Sequence, residues 1–195
     1  MSLKSLTLIV AIALGLGVTN ADAKTLSFAA VLDGAQEVPP VKTDASGTAT
    51  FKVDTNTETL DFNLDVTGID LDGLFDTLVQ APVGPVHIHA APKGSNGPIV
   101  VPFAFSLETY SDTDDGFNLN VEDFAYADAA ALAGASVDFA GFLDLLNAEG
   151  TYINVHTDAF NGGELRGQLS PVPLPASAAL ILAGLGALGL ARRKT

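Results

Sequence analysis

Apolar and polar residues alternate strictly from residue 59 to residue 66, where the chain reads TLDFNLDV. Successive side chains of a β-strand point to opposite faces, so the apolar residues share one face and the acidic and amide residues share the other. This pattern is typical of an antiparallel strand with one face in a core and one face in solvent. Residues 47–53 alternate in the same way, and the polar run DTNT between the two segments predicts a β-hairpin.

Six further short segments have the composition of strands, and stretches that contain glycine or proline separate them. They are residues 25–32, 85–90, 99–107, 118–122, 150–156 and 163–169. Pro102 interrupts the third of these segments. This indicates an edge strand or a bulge, because proline cannot donate a ladder hydrogen bond. Residues 33–41, DGAQEVPPV, are expected to be irregular for the same reason.

Two stretches have helical rather than alternating spacing. Residues 126–146 are rich in alanine and leucine and predict a helical insertion that breaks near Gly134 or Gly141. Residues 68–81 fit either a helix or a loop with one helical turn. The many short strands with one helical insertion predict an all-β fold, a Greek-key-like antiparallel β-sandwich or barrel.

The first 23 residues have the features of a secretory signal peptide. Lys4 supplies a positive charge, residues 6–18 form a short apolar segment, and the sequence ADA at residues 21–23 fits the small-residue rule for cleavage. We therefore expect the mature chain to begin at Lys24. The alternative is an N-terminal membrane anchor, but the apolar run is short for a span, which needs ~20 residues.

Residues 172–195 begin with the motif VPLPA, continue with an uncharged apolar stretch and end with RRKT. Residues 172–191 are just long enough for a transmembrane helix, and the cations after them satisfy the positive-inside rule. These parts in this order resemble the PEP-CTERM class of bacterial sorting tails, in its VPLPA variant. The resemblance implies recognition by exosortase-type sorting machinery, whose membrane peptidase removes the tail during export. The alternative is a permanent C-terminal membrane anchor.

The two ends leave residues 24–171 as one domain with 22 acidic and five basic side chains, a formal net charge of −17. Such a surface repels nucleic acid and anionic lipid. We therefore expect no nucleic-acid partner, and contact with the membrane only through the C-terminal helix. The chain has no cysteine, which excludes disulfides, thiol catalysis and zinc-thiolate sites. It also has no tryptophan, so its 11 phenylalanines are expected to dominate the core.

All three histidines of the chain lie in two segments, VHIHA at residues 86–90 and YINVHTD at residues 152–158. His87 and His89 are two residues apart on a predicted strand, so their side chains share one face, with Cα atoms about 6.6 Å apart. Two such imidazoles can bind one metal ion, and His156 on another strand can supply a third ligand. These residues indicate a copper or zinc site. The alternative is that the histidines only hydrogen-bond within the scaffold.

Other polar clusters carry weaker signals. The run NGGELRG at residues 161–167 lacks the lysine-serine pair of a phosphate loop and leads into a strand. Glu164 and Arg166 share a strand face, so they could pair with each other or with a cross-strand partner. A structural salt bridge is favoured over a ligand clamp. The acidic loops at residues 54–58 and 112–116 lack the full calcium-binding motif, so weak calcium binding is only an alternative to solvated loops. No nucleophile elbow is present, and no catalytic residue is predicted.

Three segments together resemble a known domain family: LDGAQEVPPVKTDASG at residues 32–47, VHIH with the following GSNGPIV, and YINVHTDAFNGGELRGQL at residues 152–169. They are similar to the CHRD domain, which was first named from chordin and also occurs in bacterial exported proteins. The similarity runs from about residue 25 to residue 169. It implies an all-β, sandwich-like domain and no established enzyme activity.

Three hypotheses for the function follow. The first is an exported, acidic, non-enzymatic cell-surface or matrix domain that binds surface polysaccharide or proteins. The second is an extracytoplasmic copper- or zinc-binding protein that uses His87, His89 and His156. The third is a metal-dependent redox enzyme, because the HxH spacing is similar to that of the copper-zinc superoxide dismutases, by analogy of fold and spacing alone.

Overall fold

The computed structural model describes residues 25–104 and 109–173 of the chain. The predicted signal peptide and the predicted helix that follows the VPLPA motif lie outside these residues. Within them, no helix is both long enough and apolar enough to cross a bilayer.

The N-terminal third of the domain is a meander of three strands, β1 (Thr25–Asp33), β2 (Ser46–Asp54) and β3 (Thr59–Thr67). Buried and solvent-accessible side chains alternate along all three strands, as the sequence pattern predicts. A 3-10 turn, Gly34–Gln36, and an irregular loop with a cis bond before Pro39 connect β1 to β2. The predicted hairpin and the predicted irregular loop are both confirmed.

The next part of the chain carries the first two histidines. A loop with a short helix α1 (Asp76–Val79) leads into β4 (Val86–Ala90). Strand β5 (Ile99–Phe103) pairs with β4 through a bulge and forms one edge of the sheet, as Pro102 indicates. Because α1 is a single turn, residues 68–81 form a loop with one helical turn rather than a longer helix.

Two further strands and two helices follow. Strand β6 (Tyr110–Asp112) was not predicted, and β7 (Gly116–Ala125) is longer than the segment that the sequence indicated. The helical insertion consists of α2 (Tyr126–Ala133) and α3 (Phe139–Asn147). The break between them lies at Gly134, whose φ of 62° is in the left-handed region that glycine adopts without strain.

The last strands are β8 (Thr151–Val155), β9 (Leu165–Gln168) and the two-residue β10 (Ser170–Pro171). The strands form one sheet in the order β5-β4-β8-β9-β1-β2-β3-β7-β6, and β10 pairs with β1. All pairings are antiparallel. The pair Asp33 and Arg166 joins β1 to β9, so the N-terminal and C-terminal hairpins lie side by side.

The sheet curls into a half-barrel around one core. The rings of Phe62 in β3 and Phe103 in β5 stack with centroids 4.3 Å apart, although five strands separate β3 from β5 in the sheet order. Helix α3 contributes Phe142, which packs against Phe51 of β2. The all-β antiparallel prediction is confirmed, and phenylalanine dominates the core as expected: Phe28, Phe51, Phe62, Phe103, Phe117 and Phe142 are all buried.

The two halves of the sheet differ in how they are covered. Strands β1, β2 and β3 leave one face to solvent, whereas β4, β8 and β9 are buried on both faces at most positions. The loops formed by residues 34–45 and 91–98 cover the second face. Thr43 donates a hydrogen bond of 2.6 Å to Glu164, and Asn96 joins the two loops by donating to the carbonyl of Val38 at 2.9 Å. A buried polar layer therefore lies between these strands and these loops.

Candidate metal centre

The three histidines meet in the polar layer. In the β4–β8 pairing, His87 lies opposite Asn154 and His89 lies opposite Tyr152. His156 directly follows β8, and its backbone N–H donates to the carbonyl of Pro85 at 2.9 Å. One ligand atom from each histidine lies within 4.8 Å of the ligand atoms of the other two. The structure thus brings together all three residues that the sequence singled out.

Each imidazole is held by one backbone carbonyl. The Nδ1 atoms of His87, His89 and His156 lie 3.0, 2.8 and 2.9 Å from carbonyl oxygens of the surrounding loops. A carbonyl oxygen only accepts a hydrogen bond, so each neutral ring carries its proton on Nδ1 and leaves the lone pair of Nε2 free. Each Nε2 is buried and has no hydrogen-bond partner. Second-shell carbonyls orient metal-binding histidines in this way.

Burial keeps the rings neutral. Desolvation, with the neighbouring imidazoles His156 and His89 adding to it, lowers the pKa of His87 to about 3. Desolvation also lowers the pKa of His89 to about 4, despite the hydrogen bond to Gly97, and lowers the pKa of His156. Metal ions bind the neutral form of imidazole, so the site is ready for a metal at neutral pH without the loss of a proton from these rings.

Two glycines supply the carbonyls that orient the two histidines of β4. The carbonyl of Gly84 accepts from His87, and that of Gly97 accepts from His89. A Cβ at Gly84 would collide with the carbonyl of Phe103, and a Cβ at Gly97 would collide with that of Ala90. Sequence reasoning missed both residues, although each lies in a glycine- and proline-containing segment beside β4, which is the signal that could have identified them.

An aromatic ring and then a guanidinium group stack on one side of the His89 imidazole. The ring of Tyr152 stacks on the imidazole with centroids 4.8 Å apart and an interplanar angle of 6°. The guanidinium carbon of Arg166 lies 3.5 Å from the centroid of the same Tyr152 ring. The Tyr152 hydroxyl oxygen accepts a long hydrogen bond of 3.4 Å from the N–H of Gly97, the residue whose carbonyl holds His89. Tyr152 therefore positions both the ring and the loop of this ligand.

Arg166 has structural contacts, but it does not pair with Glu164, which was one of the two alternatives that the sequence left open. Its guanidinium, only 1% exposed, donates to Asn96 Oδ1 at 3.1 Å and to the carbonyl of Ser95 at 2.8 Å. Glu164 instead accepts hydrogen bonds of 2.6 Å from the hydroxyls of Thr43 and Thr157. The two side chains diverge because the covering loop at 91–98 offers Arg166 carbonyl and amide oxygens.

Glu37 completes the polar layer and was not identified from the sequence. It is 5% exposed, and burial raises its pKa against the opposing effect of Arg166. Its Oε1 and the Oδ1 of Asn154 are buried without a hydrogen-bond partner. Both atoms lie so close to Gly163 that a Cβ at this position would collide with them. Gly163 also has a φ of 120°, which residues with a side chain rarely adopt. The acidic loops lie elsewhere: Asp54 accepts from backbone N–H groups in its own turn. Weak calcium binding there stays the alternative to a solvated loop.

Comparison with known proteins agrees with the sequence resemblances. The family model of the CHRD domain matches residues 28–169, and the model of the PEP-CTERM protein-sorting motif matches residues 171–194. No curated protein and no solved structure matches the chain. The sorting motif implies export, sorting to the cell surface and recognition by exosortase sorting machinery. The chain belongs to the CHRD domain family, and it is an exported surface protein with a PEP-CTERM sorting motif.

Proposed function

We propose that this exported surface protein binds a transition-metal ion, copper or zinc, through the Nε2 atoms of His87, His89 and His156. One observation carries the proposal: three imidazoles of defined tautomer converge in a buried layer, and none of their Nε2 atoms has a hydrogen-bond partner. The ligand type suits copper and zinc, which both bind imidazole nitrogen. The resemblance to the CHRD domain implies no established enzyme activity, so the proposed role of the protein is binding rather than catalysis.

A purely structural role for the histidines fits this geometry less well. A scaffold histidine normally uses both ring nitrogens, because an unsatisfied buried polar atom costs about 1–3 kcal/mol. Three such atoms in one cluster would be a large cost for one domain. A bound metal ion satisfies all three lone pairs at once and converts the cost into binding energy.

The surroundings of the site also favour a cation. Residues 24–171 carry a formal net charge of −17, which raises the local concentration of cations at the surface. The same acidic surface supports the second candidate function, a structural domain that contacts surface polysaccharide or proteins. The exposed faces of β2 and β3 favour it, because they carry Thr48, Thr50, Asn63 and Asp65, whose side chains can hydrogen-bond to such partners. In both cases we propose that the membrane is contacted only through the C-terminal segment.

Calorimetric titration tests the proposal directly. The protein is purified from the cells that export it, stripped of metal with a chelator, and titrated with Zn²⁺ and Cu²⁺. We expect one ion per chain, and loss of this binding in the variant His87→Asn/His89→Asn/His156→Asn. The matched control is Asp112→Asn/Asp114→Asn, at the exposed end of β6 and in the acidic loop after it, which removes surface charge and should retain the binding. Circular dichroism verifies that each variant is folded.

Two results would contradict the metal proposal. The first is binding that survives in the triple histidine variant and disappears in the acidic-loop control, which would place the ion on the surface. The second is that the folded wild-type protein binds none of Zn²⁺, Cu²⁺ and Cu(I) stoichiometrically. Either result would leave the structural role as the better candidate, to be pursued by binding assays with surface polysaccharide.

A further inference from the structure

The ligand set of the metal centre is uncharged. Among residues 25–104 and 109–173, the three histidines form a group of potential ligands without any carboxylate. The chain has no cysteine, so no thiolate can join them. Their Nδ1–H groups are committed to backbone carbonyls, so no ring becomes an imidazolate while these hydrogen bonds persist. The protein therefore offers three neutral nitrogen ligands and no compensating negative charge within the set.

The second shell adds positive charge on one side. The guanidinium of Arg166 lies over the Tyr152 ring, and that ring stacks on His89. Two carboxylates also lie in this layer: Glu37 is buried, and Glu164 accepts hydrogen bonds from the hydroxyls of Thr43 and Thr157. The charged group stacked behind the ligand set is thus a cation, and neither carboxylate of the layer belongs to the set.

We infer that the site, if it binds metal as proposed above, selects copper in the Cu(I) state over Cu(II) and Zn(II). The cost of burying an ion grows with the square of its charge, so neutral ligands in a buried layer penalise a dication far more than a monocation. Zn²⁺ in proteins almost always takes four ligands. The described residues bring together three, and each Nε2 is shielded from the solvent that would supply a fourth. Cu(I), a closed-shell monocation, accepts three ligands.

Competition titrations on the full protein, purified from exporting cells and stripped of metal, measure this selectivity. Cu(I) is supplied anaerobically with ascorbate and competed against a chromogenic Cu(I) chelator, and Zn²⁺ and Cu²⁺ are competed against chelators of known affinity. We expect Cu(I) to bind at least about a hundredfold more tightly than Zn²⁺. Binding of Zn²⁺ as tight as that of Cu(I) would overturn the inference and leave the metal proposal intact.

A pair of matched variants separates the effect of charge from the loss of a ligand. His89 is the most exposed of the three histidines. His89→Asp puts an anionic ligand in its place, whereas His89→Asn has nearly the same size and no charge. We expect His89→Asp to lower the preference for Cu(I) over Zn²⁺ by at least about tenfold relative to His89→Asn. Equal preferences in the two folded variants would overturn the charge argument, and failure of all three ions to bind the wild type would overturn the proposed function as well.

Discussion

Acidification from pH 7 to pH 5 should destabilise the metal-free fold through its buried histidines. In the unfolded chain these side chains have their ordinary pKa near 6.5 and take up protons at pH 5. In the folded protein, burial first and neighbouring charges second lower the pKa of His87 to about 3 and that of His89 to about 4. The unfolded state therefore binds more protons, and the free energy of unfolding falls as the pH falls below 6.5. At pH 5 this difference lowers the free energy of unfolding by about 2 kcal/mol for each of His87 and His89, or by about 4 kcal/mol for the two together.

Urea denaturation at a series of pH values measures this loss, and a histidine variant isolates it. Carboxylates also begin to titrate near pH 5, where relief of acidic repulsion has the opposite sign, so the comparison is with His87→Gln/His89→Gln. This variant should lose about 4 kcal/mol less than the wild type between pH 7 and pH 5. The wild type should regain its full stability above pH 6.5. Parallel pH profiles for the two proteins would show that the rings are protonated in the folded state and would refute the reasoning.

Three further predictions concern the scaffold and are checked by chemical denaturation. Gly163→Ala should cost more than about 2 kcal/mol, because its φ of 120° is strained for alanine and its Cβ would meet two buried oxygens. The neighbouring Gly162→Ala, where a Cβ meets nothing within 4 Å, should cost far less, and equal losses would contradict the packing described. Arg166→Lys should cost about 3 kcal/mol, since a lysine cannot replace the planar fork that holds the covering loop, and a loss below about 1 kcal/mol would argue against that role. Phe62→Ala should cost about 3–5 kcal/mol because the ring is 1% exposed, whereas Val31→Ala at a site 66% exposed should stay within about 0.5 kcal/mol, and similar losses at the two sites would refute the core assignment.

The candidate site was predictable to the extent that it depends on strand alternation. His87 and His89 fall on one face of β4 because they are two residues apart, and this spacing survives any detail of the fold. The convergence of His156 was a guess from the sequence, because it depends on which strand lies beside β4. The pairing of β4 with β8 brings His156 to the other two histidines, although about 60 residues separate the two strands along the chain.

The supporting residues were harder to find. Glu37 lies in a proline-containing loop whose path across the sheet no local pattern encodes, and Arg166 looked like a partner for Glu164 because both share a strand face. Only the packing of the loop at 91–98 against β9 turns the guanidinium towards backbone carbonyls. Strand β6 was missed for a similar reason. It is only three residues long and lies beside an acidic loop, so it has no recognisable strand pattern, and it is extended because it pairs with β7.

By itself, the sequence determined the local features of this protein: the alternating strands, a helical insertion that breaks at one of two glycines, the acidic surface, the likeness to the CHRD domain and the sorting motif. These follow from short-range sterics, from the side-chain period of two, and from short motifs. Only the tertiary structure decided that one sheet curls around the core, that two loops seal its second face, and that three Nε2 atoms meet there without partners. The physical reason is that burial and strand neighbours arise from contacts between distant segments, and these contacts set the charge, tautomer and geometry of the metal centre.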